Sequence, residues 1–155
     1  MLYEINKLNP SDYPKCANIW NMEKQPLTQK WLDEIVAGRR VVYVYTENGE
    51  FLGEGALVFE ANEPDYTIPH KRIYLSRMVV KHSERGRGIG GILLDYLCDI
   101  AREMGYSEMT LGVDTDNHAA RRLYEKKGFT TLLYQGVDQY GEYVKLLKRL
   151  TAARE

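Results

Sequence analysis

Cysteine and histidine are scarce in this chain of 155 residues. Cys16 and Cys98 are the only cysteines, and they lie far apart in stretches with helical spacing of apolar residues. A disulfide framework or a thiolate metal site needs more cysteines at closer spacing. His70, His82 and His118 do not have the spacing of metal ligands either. We therefore expect no metal, no disulfide and a reduced, cytoplasmic setting.

An excess of one charge and a long apolar run are also missing. The 21 basic and 22 acidic residues are spread along the chain and give a net charge of -1. No basic stripe is available for nucleic acid. No run reaches the roughly 18 apolar residues of a membrane span, and "MLYEINKLNP" lacks the pattern of an export signal. We expect no nucleic acid partner, no membrane partner and no export.

The composition that remains is that of an ordinary globular protein, with 44% hydrophobic and 28% charged residues. This length is sufficient for one substantial core and leaves no room for a second domain. No repeat or low-complexity segment interrupts the chain. The sequence predicts a single domain over residues 1–155.

Local patterns predict the elements of the first half. "LYEINKL" is strand-like, Ser11 opens the helix-like stretch "SDYPKCANIWNMEK", and Thr28 caps "QKWLDEIVAG", which Gly38 ends. The β-branched and aromatic segment "RVVYVYTENGEFLGEGALVFE" predicts a hairpin around Asn48-Gly49. A surface loop, "ANEPDYTIPHK", then leads to the strand "RIYLSRMVV".

The second half begins with a glycine-rich turn and a helix that Gly105 ends. "EMTLGVDT" is a strand, Asn117 caps a helix that Gly128 ends, and "FTTLLYQGV" and "GEYVKLLKRL" close the chain as strands. The predicted order is β-α-α-β-β-β-α-β-α-β-β. This order indicates a mixed α+β (α/β) sheet.

The glycine turn, "SERGRGIGGILLDYL", formally contains G-x-G-x-x-G at Gly86, Gly88 and Gly91. A dinucleotide-binding fold places this fingerprint after its first strand, whereas a hairpin and a further strand precede it here. No Gly-Lys-Ser or Gly-Lys-Thr follows, which argues against a P-loop. Glycines at a helix start still let backbone N–H groups approach an anion, so a phosphate-bearing ligand is expected. A helix entry that binds nothing is the alternative.

Two motifs resemble one family. "VVKHSERGRGIGGILLDYL" resembles the acetyl-CoA-binding motif R/Q-x-x-G-x-G/A of the GCN5-related N-acetyltransferases (GNAT), matched by Arg85, Gly88 and Gly90. "NHAARRLYEKKGF" is similar to that family's N-x-x-A-x-x-x-Y-x-x-x-G-F helix. The residues in register are Asn117, Ala120, Tyr124, Gly128 and Phe129.

The resemblance implies the GNAT acyl-CoA N-acyltransferase fold over the whole chain, with acetyl-CoA as cosubstrate and no metal. It implies that backbone amides of the turn hold the pyrophosphate of acetyl-CoA. It also implies that the backbone of the preceding strand pairs with the pantetheine arm. An N–H near Val79 or Val80 is then implied to polarise the thioester carbonyl. The implied cofactor-binding residues are Met78, Val79, Val80, Arg85, Gly86, Arg87, Gly88, Ile89, Gly90, Gly91, Asn117 and Tyr124.

Acyl transfer to an amine also needs a proton for the departing thiolate and a base for the ammonium. The motif register implies Tyr124 as the proton donor; packing on a helix is its alternative role. The strand "RIYLSRMVV" departs from the family because it offers Tyr74, Ser76 and Arg77 where many members carry an acid. Glu54 and Asp114 remain as base candidates, and a solvated surface carboxylate is the alternative for each.

The resemblance implies transfer of the acetyl group to a primary amine by direct attack in a ternary complex, with a small molecule or an amino acid as acceptor. Tyr74, Ser76 and Arg77 are the candidate acceptor contacts, and Arg77 suits a carboxylate. A protein lysine or N-terminal acetyltransferase and a non-catalytic acyl-CoA-binding sensor are the alternatives. The strand "GEYVKLL" is a candidate for pairing in a homodimer.

Overall fold

The computed structural model describes residues 2–150, which divide into two compact units. The first unit comprises the chain up to Val58 together with Arg77–Leu97, and the second comprises Phe59–Ser76 and the chain from Cys98 onward. The strands follow the sheet order β1-β2-β3-β4-β5-β7-β6. They are β1 Glu4–Lys7, β2 Arg40–Glu47, β3 Glu50–Val58, β4 Arg72–Val80, β5 Glu108–Asp114, β6 Thr131–Asp138 and β7 Gly141–Arg149.

Within residues 2–150, three α-helices accompany these strands, together with two 3-10 helices. The α-helices are α1 Thr28–Val36, α2 Ile89–Glu103 and α3 His118–Lys126, and the 3-10 helices are Pro10–Asn18 and His82–Glu84. The predicted mixed α+β sheet is confirmed. None of the helices in residues 2–150 has the length and apolar character needed to cross a bilayer.

The first helical segment differs from the prediction. It is a 3-10 helix that starts at Pro10 and contains Pro14. Proline has no N–H and its ring clashes with the carbonyl four residues earlier, so an α-helical ladder cannot run through this position. Ser11 does not cap the segment, because Asn9 is the N-cap and its side chain accepts the N–H of Ser11 at 3.0 Å.

The start of α1 also differs by one residue. Leu27 is its N-cap, and Thr28 is the first helical residue, so the prediction of Thr28 as the cap is wrong. The Thr28 hydroxyl instead donates to the carbonyl oxygens of Met22 at 2.7 Å and Gln25 at 2.9 Å. It therefore ties the helix to the turn that precedes it.

The predicted hairpin of β2 and β3 is confirmed. Asn48 and Gly49 both have positive φ, 53° and 80°, as a primed two-residue turn requires. Gly53 and Gly55 of β3 face α2, since a β-carbon on Gly53 would lie 3.4 Å from Ile89 and one on Gly55 would overlap Leu97. Side chains alternate along a strand, so Glu54 points to the opposite face.

That opposite face packs against the 3-10 helix Pro10–Asn18 and α1. The buried core there contains Leu8, Tyr13, Cys16, Ile35, Val42, Val44 and Ala56, with Trp20 and Trp31 partly buried against it. Both cysteines of the chain are free and buried.

In the second unit, β7 is an interior strand with β5 on one side and β6 on the other. The expectation that "GEYVKLL" pairs across a dimer is therefore wrong, because its backbone groups already pair within the sheet. The edge strand is β6, where Leu132 is 56% and Val137 is 74% exposed.

The helix α3 begins and ends as predicted. Asn117 is its N-cap and accepts the backbone N–H of Ala120 at 3.2 Å. Gly128, with φ of 99°, ends it.

Candidate active site

The turn between β4 and α2 has the backbone geometry that an anion site requires. Gly86 and Gly88 both have φ of 85°. A side chain in this region costs about 1–2 kcal/mol. A β-carbon at either position would meet nothing within 4 Å, so the turn leaves open space along its backbone.

The first turn of α2 presents unpaired donors. Its first intrahelical bond runs from the N–H of Ile92 to the carbonyl of Gly88 at 3.1 Å. The N–H groups of Ile89, Gly90 and Gly91 therefore have no partner inside the helix. The first turn contains no acidic residue that would oppose an anion. Unpaired donors, the helix dipole and the open glycine backbone together fit a diphosphate such as that of acetyl-CoA.

The two arginines of the turn differ. Arg87 forms ion pairs with Glu84 at 2.6 Å and with Glu47 of β2 at 2.7 Å, and these hydrogen bonds raise its pKa. Arg85 is exposed and donates from Nε to the carbonyl of Val80 at 3.1 Å. Arg87 therefore ties the turn to the β2–β3 hairpin. Arg85 is the better placed of the two to contribute positive charge to an anion bound at the turn.

Glu47 belongs to the same network. Hydrogen bonds from Arg87 and Tyr45 hold the pKa of its carboxyl below the usual value. Burial, with this hydrogen bond, raises the pKa of Tyr45 to about 12. The turn is thus braced by a carboxylate that stays ionised.

The strand β4 leads directly into this turn. Its parallel register with β5 pairs Arg72–Tyr74 with residues 108–110, which is only the first three of its nine residues. Met78, Val79 and Val80 are half-buried and lie beyond the end of that register. Lys81, the next residue, donates its N–H to the carbonyl of Leu52 in β3 at 2.8 Å.

Arg77 occupies a corner formed by the two tryptophans. Its guanidinium carbon lies 4.5 Å from the ring centroid of Trp20 and 4.7 Å from that of Trp31. The two indoles pack edge to face at 75°, with centroids 5.9 Å apart. Burial lowers the pKa of Arg77, and the nearby Glu54 carboxylate opposes that shift. We call Trp20, Trp31 and Arg77 the arginine corner.

Glu54 is buried, only 3% exposed, so a solvated surface carboxylate is the wrong description of it. The indole N–H of Trp20 donates to Glu54 at 2.6 Å. Burial, followed by the charge of the Glu54 carboxylate, raises the pKa of the Cys16 thiol. Glu54 therefore accepts a hydrogen bond from Trp20 and holds that ring in place.

A pocket of about 550 Å³ lies beside the arginine corner in the same unit. Trp20 belongs to both the pocket and the corner. The pocket walls run from the end of the first 3-10 helix to the residues that follow β4, with Asn18, Trp20, Met22, Lys81 and Ser83 among them.

The second unit holds the other motif. Asn117 and Tyr124 lie seven residues apart on α3 and so share one face. Burial raises the pKa of Tyr124 to about 12, and its ring packs edge to face on Phe129 at 6.0 Å. The phenol is therefore protonated throughout the physiological range.

The remaining candidates are also in the second unit. Asp114 is exposed at the end of β5, which agrees with a surface carboxylate. Tyr74 stacks on Tyr66 with centroids 3.9 Å apart, and Ser76 is half-buried in β4. Within residues 2–150, no group of three or more histidine, cysteine or acidic side chains could hold a metal ion.

Sequence reasoning found Arg77 but not Trp20 or Trp31. Trp31 lies within the predicted helix "QKWLDEIVAG", and Trp20 lies in a segment whose proline disturbs the helical pattern. The sequence offered two separate signals. Arg77 is a charged residue within a predicted strand, and the chain has only two tryptophans.

Comparison with known proteins decides the family. The model of the acetyltransferase (GNAT) family matches residues 2–129. The chain belongs to this family. The GNAT assignment expected from the two motifs is confirmed, and so is the fold.

Among related sequences, YhfO of Bacillus subtilis, an uncharacterized N-acetyltransferase, is 37% identical over 92 residues, which cover 57% of this chain and 58% of that protein. The chain spans about half the length of the curated relatives it matches.

Two solved GNAT structures superpose over nearly the whole chain. The ribosomal-protein-S18-alanine N-acetyltransferase of Escherichia coli has a TM-score of 0.77 at 21% identity, covering 99% of this chain and 97% of that one. The Salmonella typhimurium protein yncA, solved with its cofactor acetyl-CoA, has a TM-score of 0.72 at 22% identity, covering 99% and 96%. These likenesses establish the GNAT fold.

Proposed function

We propose that this protein is an acetyl-CoA-dependent N-acetyltransferase that acts on a small primary amine. The observation that carries the proposal is the turn before α2, in which Gly86 and Gly88 have φ of 85° and three helix N–H groups lack intrahelical partners. Because the chain belongs to an acetyltransferase family, the diphosphate that we expect at this turn is that of acetyl-CoA.

The diphosphate would be held by the backbone from Arg85 to Gly91, with Arg85 at the rim. The amide groups do not change charge with pH, and Arg87 is braced by Glu47 and Glu84. Binding is therefore expected to vary little across neutral pH and to weaken with salt, which screens the charge of Arg85 and the helix dipole.

The backbone of Met78–Val80 lies beyond the β4–β5 register. An extended arm carrying amides can pair with such a backbone as a further strand would. An N–H of Val79 or Val80 would then lie beside the acetyl carbonyl oxygen and stabilise the charge that develops there.

Acetyl-CoA supplies a thioester whose C–S bond breaks as the new C–N bond forms. The acceptor must attack as a neutral amine, so its ammonium proton has to leave first, to a carboxylate or to an ordered water. Tyr124, whose phenol is protonated at neutral pH, would return a proton to the departing sulfur, the role that the motif implies. The transfer then balances as amine plus thioester giving amide plus thiol.

The decisive experiment measures thiol release from acetyl-CoA across amino acids, polyamines, aminoglycosides and short lysine peptides. A small amine is expected to be acetylated, with the product confirmed by mass spectrometry. Tyr124→Phe runs in parallel, and Tyr140→Phe, an exposed tyrosine of the β6–β7 turn, is the matched control.

Other outcomes identify the alternatives. Activity confined to peptides would indicate a protein acetyltransferase. Calorimetric binding of acetyl-CoA without transfer to any amine would indicate a sensor.

A further inference from the structure

The Arg77 guanidinium contacts the two tryptophan rings of the arginine corner. Its Nε is buried without a hydrogen-bond partner, and no hydrogen bond or ion pair to the guanidinium occurs among residues 2–150. Buried polar groups in folded proteins are almost always paired, because an unpaired one loses its hydration without compensation. The guanidinium of Arg77 therefore has no acceptor within the described chain.

The residues around Arg77 do not supply that acceptor. Glu54, whose negative charge acts on Arg77, accepts the indole N–H of Trp20 and forms no ion pair with Arg77 in the described chain. Arg40, the other cation of this region, is paired with Glu34 at 2.9 Å. Both arginines contact Trp31, with Arg40 5.3 Å and Arg77 4.7 Å from its ring centroid.

The corner fixes the arginine instead of neutralising it. Cation–π contact holds a guanidinium through its faces and leaves the in-plane N–H donors available. The terminal nitrogens of Arg77 make no bond in the described chain, and only Nε is fully buried without a partner. They keep some access to solvent and can therefore meet a ligand.

The position of Arg77 on β4 places it next to the expected chemistry. Arg77 and Val79 are two residues apart and point to the same face, with Cα atoms about 7 Å apart at the usual strand rise. Val79 and Val80 carry the N–H groups proposed to meet the acetyl carbonyl. A ligand bound to Arg77 would thus have its other end close to the acetyl carbon.

We infer that Arg77, held by Trp20 and Trp31, receives a carboxylate of the acceptor, so that the acceptor is an amine that also carries a carboxylate, as an amino acid does. This inference rests on the proposed function and names its substrate class. The fork of the guanidinium matches the two oxygens of a carboxylate, which an ammonium side chain in its place would not.

The test compares amino acids with their decarboxylated amines, for example phenylalanine with phenethylamine and methionine with 3-methylthiopropylamine. For the wild-type protein, kcat/KM is expected to be at least about tenfold higher on the amino acid of each pair, since hydrogen bonds to charged groups are worth roughly 1.5–3 kcal/mol. Arg77→Gln is expected to lower kcat/KM on amino acids about 10- to 100-fold and to leave the amines nearly unchanged.

Two further variants sharpen the comparison. Arg77→Lys keeps the charge but not the fork, and should fall between wild type and Arg77→Gln. Arg39→Gln removes an exposed arginine from the same unit and should match the wild type on both members of each pair.

Binding gives a readout that does not depend on turnover. Calorimetric titration of amino acid into protein saturated with CoA should show binding that the decarboxylated amine lacks and that Arg77→Gln removes. This comparison on the wild-type protein remains decisive if Arg77→Gln does not fold.

Equal kcat/KM on both members of each pair would overturn the inference, and so would an Arg77→Gln loss that is the same on both. Failure of the proposed function is seen separately, as no transfer to any amine while acetyl-CoA binds. In that case the calorimetric comparison still decides whether a carboxylate is bound.

Discussion

The indole N–H of Trp20 donates a 2.6 Å hydrogen bond to Glu54, a buried carboxylate of the neighbouring hairpin. This bond sets the orientation of the ring on which Arg77 rests, 4.5 Å away. If Arg77 receives the acceptor carboxylate, as we infer, Glu54 would act on the acceptor through Trp20 and Arg77, as a positioning residue.

Glu54→Ala removes the acceptor of the Trp20 N–H, and we expect the KM for the amine acceptor to rise about tenfold while kcat changes little. Steady-state kinetics at saturating acetyl-CoA measures both. Glu54→Gln keeps a carbonyl oxygen for the indole and should restore most of the KM. If Glu54 were instead the general base, Glu54→Gln would lower kcat by about 10²–10⁴-fold. It would also abolish the fall of kcat at acidic pH.

Gly88→Ala puts a β-carbon where φ is 85°, and we expect a loss of about 1–2 kcal/mol of unfolding free energy from backbone strain alone. Gly38→Ala is the matched control, because Gly38 has φ of 79° and also has nothing within 4 Å of an added β-carbon. Denaturant unfolding should show similar losses for the two variants. Calorimetry should show weakened acetyl-CoA binding only for Gly88→Ala, and equal affinity in both would argue against the turn as the diphosphate site.

The strands that surround this turn could be predicted because their signals are local. The limits of β4 match the strand expected from "RIYLSRMVV", and the Asn48-Gly49 turn has the two positive φ angles that its residues favour. The glycine turn and the Asn117 cap are likewise properties of short segments.

The structure differs from the sequence predictions where a proline or a contact between distant residues determines the local conformation. Pro14 turns an amphipathic pattern into a 3-10 helix. Glu54 is buried because Trp20, 34 residues earlier, covers it, and no local pattern announces that contact. The interior place of β7 depends on β5, a partner remote in the chain.

Tyr124→Phe should lower kcat by about 10²–10⁴-fold if the phenol protonates the departing sulfur. A proton donor stops working as pH rises through its pKa, which burial raises to about 12. The kcat of the wild-type protein should therefore show no alkaline loss from this group up to about pH 10. An unchanged kcat in Tyr124→Phe would remove the tyrosine from the mechanism.

The stability of the fold at alkaline pH depends on buried tyrosines whose pKa values are raised. Burial raises the pKa of Tyr13, Tyr45 and Tyr124 from 10.0 to about 12. A group whose pKa is higher in the folded state stabilises the fold fully below pH 10 and loses that contribution as pH rises toward 12. Urea unfolding between pH 9 and 12 should show the decline, and Tyr45→Phe should make it shallower. A decline of equal slope in Tyr45→Phe would contradict this account.

Gly55→Ala tests the packing of α2 against β3. An added β-carbon would overlap the side chain of Leu97, which is fully buried and has little room to move. We expect a loss of about 1–3 kcal/mol in unfolding free energy. Combining it with Leu97→Ala should cost less than the sum of the two single changes, and strict additivity would show that the two side chains do not meet.

The arginine corner also gives the protein an internal optical reporter. The chain has two tryptophans, and both indole rings contact the guanidinium of Arg77. All of its tryptophan fluorescence therefore originates at this one place. Any molecule that draws the cation away from the rings would change the emission of the unlabelled protein. Binding elsewhere in the chain that left the corner intact would not change the tryptophan emission.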